Sequence, residues 1–311
     1  MATPRLMMIL SENWTILEPG DLRELVDWAV IAEAAGIDGV MISEHIVLGP
    51  SSGSNGPMAN PRDYALPGNQ DPATPWPSSL VLLSAIAART TRIRLFAGAI
   101  IAPLRHPLDL ARHLGTLDIL SGGRLIVQPT VSWHKDEYDA LGVNFRTRGK
   151  RLDEQLEAMA AVWKSSPAEF DGDFFSFKET FLEPKAYRRE GPALWFGGET
   201  LHKALQRRLV KYGSGFHPLG TPSEDDMAAL AEAMRAGGRD LAELEMIGGT
   251  RGLFPDDDSP ANLVESMAVI PEQMERGFTT FCIKPNQFID DKRDIDVFCQ
   301  DAHAIAAGYS T

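Results

Sequence analysis

Along the whole chain, short apolar runs alternate with amphipathic helical segments. The runs are RLMMIL (5–10), GVMIS (39–43), RIRLFAGAII (92–101), RLIVQPTV (124–131), ALWFGG (193–198), GFHPLG (215–220), LEMIGGTRGLF (244–254) and TTFCIKP (279–285). Residues 21–36, 79–90, 107–123, 149–166, 201–213, 224–238, 262–277 and 295–308 carry apolar residues at helical spacing. Runs that are apolar throughout, rather than every second residue, are buried on both faces, which means a parallel sheet. Eight such units in 311 residues predict an α/β chain closed into a (β/α)8 TIM barrel, one domain over residues 1–311. An open doubly wound sheet would carry a glycine-rich phosphate loop after its first strand. That junction reads SENWTILEPG, and neither GxGxxG nor a Walker motif occurs.

Two segments interrupt the alternation. Residues 49–78, GPSSGSNGPMANPRDYALPGNQDPATPWPS, hold seven prolines after the second strand. A loop of ~30 residues inside a compact domain is a functional lid or disordered, and Tyr64 and Trp76 favour an ordered lid, since disordered linkers are poor in aromatics. Residues 167–192 contain two aromatic-rich stretches across Asp171-Gly172, the pattern of a hairpin outside the barrel. The net charge of −13 argues against nucleic acid or an anionic membrane as partner, although one local site can still oppose the overall field. No apolar stretch approaches the ~20 residues of a bilayer span, and the amino-terminal run turns polar at Ser11, unlike a signal peptide. Cys282 and Cys299 lie in apolar runs and read as inert thiols of a cytoplasmic protein.

In such a barrel, chemistry sits at the carboxyl ends of the strands. Those ends supply Ser11, Glu12 and Asn13; Ser43, Glu44 and His45; Gly98 and Ala99; Pro129, Thr130 and Trp133; Gly197, Gly198 and Glu199; His217; Thr250 and Arg251; and Lys284. The histidines are scattered, without HxH or HExxH spacing, so no metal is expected. FGGET (196–200) reads as opening a helix after a strand, an arrangement that suits a phosphate. Strand side chains alternate, so His45 and Ser43 share one side of the second strand while Glu44 and Ile42 share the other.

SEHIVL, the run RIRLFAGAIIAPLRHPLDLARHLGTLDILSGGRL, DEYDALGVNFRTRGKRLDEQLEAMAAVW and LWFGGE together resemble the bacterial luciferase-like superfamily of flavin- and F420-dependent oxidoreductases, over about residues 5–220. The most specific part is Arg105, Pro107, Ala111, Leu117, Asp118, Leu120 and Ser121-Gly122-Gly123-Arg124, and the resemblance leans to the F420-dependent branch. It implies a flavin or deazaflavin at the carboxyl face of the barrel and a non-prolyl cis peptide near Gly98–Ala99. It matches His45 to the family's active-site histidine, Glu44 to the acidic residue before it, and Gly197, Gly198, Glu199 and Thr200 to the segment that receives the cofactor phosphate. After the fourth strand the family's glycine-rich segment is replaced by VQPTVSW (127–133), which retains Trp133 and puts Gln128, Pro129, Thr130 and Val131 where glycines are usual.

The expected reaction is hydride transfer between C5 of F420 and a small substrate with an apolar body, beneath the 49–78 lid. His45 is the expected acid or base, with Glu12 or Glu44 orienting it or relaying the proton. Ser43, Gly98, Ala99, Pro129, Thr130 and Trp133 join residues 197–200 as expected cofactor contacts. The alternatives are an FMN-dependent monooxygenase supplied with FMNH2 by a partner reductase, and a flavin-binding barrel without turnover. The resemblance also implies a homodimer.

Overall fold

A computed structural model describes residues 3–310. The chain runs β1 (Arg5–Ile9), α1 (Leu22–Ala35), β2 (Gly39–Ile42), α2 (Ser79–Arg89), β3 (Arg94–Ile101), α3 (Pro107–Leu120), β4 (Leu125–Thr130), α4 (Lys135–Ala140) and α5 (Arg148–Lys164). It continues with β5 (Ala168–Asp171), β6 (Ser176–Thr180), β7 (Ala193–Gly198), α6 (Lys203–Tyr212), β8 (Gly213–Pro218), α7 (Glu224–Ala236), β9 (Glu245–Gly249), α8 (Leu263–Met267), α9 (Ile270–Glu275), β10 (Thr280–Ile283) and α10 (Ile295–Gly308). Eight of the strands close a parallel barrel in the order β1-β10-β9-β8-β7-β4-β3-β2, as the alternation predicted, and β5 and β6 form the expected hairpin outside it. Among the described residues no helix is long and apolar enough to cross a membrane.

Two local departures have simple causes. The helix expected over 262–277 is broken into α8 and α9. Pro271 lacks an amide hydrogen and its ring collides with the carbonyl four residues back, that of Met267, where α8 stops. The helix expected to open directly after FGGET begins later, at Lys203, because the ring nitrogen of His202 caps it by accepting the Leu205 N–H at 3.2 Å.

Alternation along the strands sorts the barrel interior into three levels. The floor is ionic: Arg94 makes a bidentate pair with Glu245 (2.8 Å for each bond), which Arg5 and Thr280 join. The Arg94 guanidinium also lies 5.5 Å from the centre of the Trp195 ring. Above it, Met7, Ile9, Met41, Phe96, Ile126, Trp195, Ile247 and Cys282 pack into a buried apolar plug. Two residues further along each strand, the same inward side brings up Ser11, Ser43, Gly98, Gln128, Gly197, His217, Gly249 and Lys284. The helices cover the outside with a separate core in which Trp28, Trp163, Phe216 and Phe281 are fully buried. At ~25 cal/mol per Å2 of apolar surface removed from water, these two cores fix the barrel, and the third inward level is free for chemistry.

Candidate active site

The upper level is small and polar. The Ser43 N–H donates to Oγ of Ser11 at 2.7 Å, and the two hydroxyl oxygens lie 2.9 Å apart, tying β1 to β2 at the mouth. On the opposite side Nδ1 of His217 lies 3.0 Å from Oε1 of Gln128. That bond spans β7, so the residue beneath it must be glycine: a Cβ on Gly197 would sit 2.2 Å from the His217 carbonyl oxygen and 2.9 Å from Nε2 of Gln128. Desolvation pushes the His217 imidazole down to about 4, so it is neutral at neutral pH.

Beside this pair, β3 pairs Gly98 with Gln128 and then Ile100 with Pro129, leaving Ala99 as a bulge. The Gly98–Ala99 peptide is cis, as the resemblance implied. A Cβ on Gly98 would lie 2.8 Å from the Phe96 ring. Pro129 has no N–H to donate, and a proline is tolerated inside a sheet where a bulge already interrupts the ladder.

His45 follows β2 on the inward side and is 9% exposed. Its Nδ1 lies 3.3 Å from Oε2 of Glu137, a fully buried carboxylate on α4. Oε1 of the same carboxylate accepts the backbone N–H groups of Ile46 (2.5 Å) and Val47 (3.3 Å), and the Ser132 hydroxyl donates to Oε2 at 3.4 Å. Trp76 from the lid and Trp133 meet the imidazole edge to face, with ring centres 5.1 and 5.7 Å away. His134 meets it at 5.9 Å; its Nε2 accepts the Gly49 N–H at 2.8 Å, and burial pushes its ring down, toward the neutral form that can accept.

The residues expected to serve His45 are elsewhere. Glu44, 6% exposed, points to the opposite side of the strand. Its carboxylate is filled by the Arg105 guanidinium (2.7 and 2.9 Å), the Ile101 N–H (2.9 Å) and the Ser79 hydroxyl (3.0 Å). Glu44 therefore locks β2 to β3 and α2, and it makes no bond to His45. Glu12 adopts a left-handed backbone, φ 58°, and its carbonyl accepts from the Asn286 amide at 3.2 Å. The carboxylate on His45 is instead Glu137, inside the DEYDALG stretch, which in the sequence served only as part of the family resemblance. Of the expected phosphate segment, Glu199 and Thr200 are exposed in the turn between β7 and α6.

The lid lies across the mouth. Tyr64 packs on the apolar plug, and its hydroxyl donates to the Thr250 carbonyl at 3.4 Å. Arg251 pairs with the Asp63 carboxylate (3.1 Å from Nε), Arg62 pairs with Asp290, and the Asn60 amide bridges the carbonyls of Asp256 and Ser259 at 3.1 Å each. At its other end Trp14 donates to the Pro75 carbonyl at 3.1 Å. Lys284 is 1% exposed beneath Asp63 and Tyr64.

The barrel is thus parallel, with a bulged third strand, small residues at its mouth and a histidine held by a buried acid. The model of the luciferase-like monooxygenase family matches residues 3–294, and the chain belongs to that family. A Mycobacterium tuberculosis protein of uncharacterised function is 30% identical over 218 residues, 69% of this chain and 72% of its own. The FMNH2-dependent dimethylsulfone monooxygenase of Pseudomonas putida is 30% identical over 125 residues, 39% of this chain and 34% of that protein. Among solved structures, an F420-dependent secondary alcohol dehydrogenase in complex with an F420–acetone adduct has the same fold, with a TM-score of 0.70 at 15% identity, over 98% of this chain and 99% of that one.

Proposed function

We propose that this chain is an F420-dependent oxidoreductase that moves a hydride between C5 of the deazaflavin and the carbinol or carbonyl carbon of a small, largely apolar substrate. The observation that carries the reading is His45 fixed on buried Glu137 at the barrel mouth. Reduction of a carbonyl by hydride requires one proton for the oxygen, and oxidation of the alcohol requires its removal. With Nδ1 committed to Glu137, Nε2 of His45 is the atom that gives or takes that proton. Glu137 holds the ring's tautomer and orientation, and Trp76 and Trp133 limit water around it.

The mouth fits a flat heteroaromatic ring. The inward positions Ser11, Ser43, Gly98, Gly197 and Gly249 contribute almost no bulk, and Ser11, Ser43 and Gln128 offer polar groups around an apolar base. Residues 197–200 and the bulge at Gly98–Ala99 would hold the cofactor, which supplies a two-electron hydride carrier when bound. Purified protein is expected to bind F420, read by quenching of its fluorescence, at least tenfold more tightly than FMN. A reduced-flavin monooxygenase fed by a reductase is the second reading, supported by the 30% identity to the dimethylsulfone enzyme. Tighter binding of FMN than F420 selects it.

A further inference from the structure

Lys284 is the one lysine among the eight inward residues of the upper level, and His45 makes no bond to it. Cys282, two residues earlier on β10, belongs to the apolar plug, so alternation turns Lys284 toward the same interior. The side chain is 1% exposed. Its Nζ donates one hydrogen bond, to the Asp63 carbonyl at 3.3 Å, and lies 5.6 Å from the centre of the Tyr64 ring. A lysine ammonium has three donors, and among the described residues only this one acceptor meets them. Among the described residues no carboxylate oxygen comes within 4.0 Å of it. Asp63 on the lid has given its carboxylate to Arg251. Burial pushes the Lys284 ammonium down from the usual lysine range, and the charges of Glu12 and Asp63 oppose that without touching it.

Buried lysines are nearly always paired, because a charge taken out of water needs a close counter-ion to offset the lost hydration. Here no acid among the described residues makes a contact pair with the amine. Both groups that contact it, the Asp63 carbonyl and the Tyr64 ring, belong to the lid, so the amine lies directly beneath the segment that closes the barrel mouth.

We propose that Lys284 is the anion-binding group of the reaction chamber and that the substrate carries a carboxylate. The inference rests on the barrel mouth being the substrate chamber, as in the proposed function, but not on which cofactor serves it. β10 and β2 are separated only by β1, two strand spacings or about 10 Å. A carboxylate on Lys284 would thus stand the length of a short apolar body from a reacting carbon that faces His45. The substrate class is an apolar acid with a hydroxyl or keto group several carbons from its carboxylate.

The test is calorimetric binding of hexanoate, hexanamide and 1-hexanol to the full chain at constant ionic strength, without cofactor. The wild type is expected to bind hexanoate at least about tenfold more tightly than the two neutral analogues, as a charge-assisted bond supplies. Lys284→Met is expected to remove that preference and Lys284→Arg to keep part of it. Equal binding of hexanoate and hexanamide by the wild type, no hexanoate binding, or a preference that survives Lys284→Met overturns the proposal. Should Lys284→Met not fold, Lys284→Gln takes its place. Carboxylate preference without F420 binding leaves the role of Lys284 standing and removes only the choice of cofactor.

Discussion

His45 and Glu137 are 92 residues apart in the chain, yet Nδ1 of one lies 3.3 Å from Oε2 of the other. The acid belongs to the helix after β4, the imidazole to the end of β2, and the strand between them, β3, carries the bulge at Ala99. The other oxygen of Glu137 accepts two backbone N–H groups directly after His45, so a single carboxylate sets both the ring and the segment that bears it.

Glu137→Gln is expected to lower kcat by about 10- to 100-fold with little change in KM, because the amide keeps the shape but can turn its NH2 group toward the ring and no longer fixes the tautomer. Glu137→Ala should add a loss of stability of ~1–3 kcal/mol from the backbone N–H groups of Ile46 and Val47 left without an acceptor. Steady-state kinetics and urea unfolding of both variants separate the two effects. A KM change with kcat intact in Glu137→Gln would place the carboxylate outside the proton path.

Glu44→Ala is expected to act on stability. It strands the Arg105 guanidinium and the Ile101 N–H, and breaking a buried pair from one side costs ~3–5 kcal/mol. Denaturant unfolding should show that loss while His45 chemistry, measured on the folded fraction, changes by less than about fivefold. A kcat loss as large as that of His45→Gln, with stability unchanged, would return Glu44 to the catalytic group.

Gly197→Ala places a methyl against the His217 carbonyl and the Gln128 amide. Overpacking of this kind costs ~1–3 kcal/mol, and here it must also displace the Gln128–His217 bond at the mouth. Reduced thermal stability together with weakened F420 binding is the expected pair of results. Unchanged affinity and melting temperature would show that the bridge over β7 tolerates movement.

His217 gives the acid limb of stability a defined shape. Its folded value of about 4 lies below the ordinary histidine value of about 6.5. Between these values the unfolded chain binds a proton that the folded chain refuses, so stability rises with pH across that window. The contribution is fully present above about pH 6.5 and is lost as pH falls toward 4. Urea midpoints at pH 7 and pH 5 should therefore differ less for His217→Gln than for the wild type.

Much of this was legible in the sequence, and the rest was hidden for physical reasons. Uninterrupted apolar runs at eight strands gave the barrel, and simple alternation separated His45 from Glu44 correctly: one faces the chamber, the other Arg105. The resemblance led to the bulge at Gly98–Ala99. Glu137 was hidden because its partner is set by barrel closure, not by spacing along a helix, and an acid near the start of a short helix reads as ordinary first-turn chemistry. Pro129 looked like a departure from a glycine-rich pattern; its role is clear only beside the bulge it faces. Pro271 did carry a signal for the break between α8 and α9, a proline inside a helical pattern.

The central claim is that Nε2 of His45 handles the proton of an F420-linked hydride transfer. It is tested most directly by mixing F420 with the wild type and with His45→Gln across a panel of secondary hydroxy acids and alcohols, following loss of the oxidised cofactor's absorbance. The wild type is expected to reduce F420 with at least one hydroxy acid, and His45→Gln to show a fall in kcat of about 100-fold or more with F420 affinity unchanged. Equal rates in the two proteins, or turnover with FMNH2 and oxygen but none with F420, would contradict it.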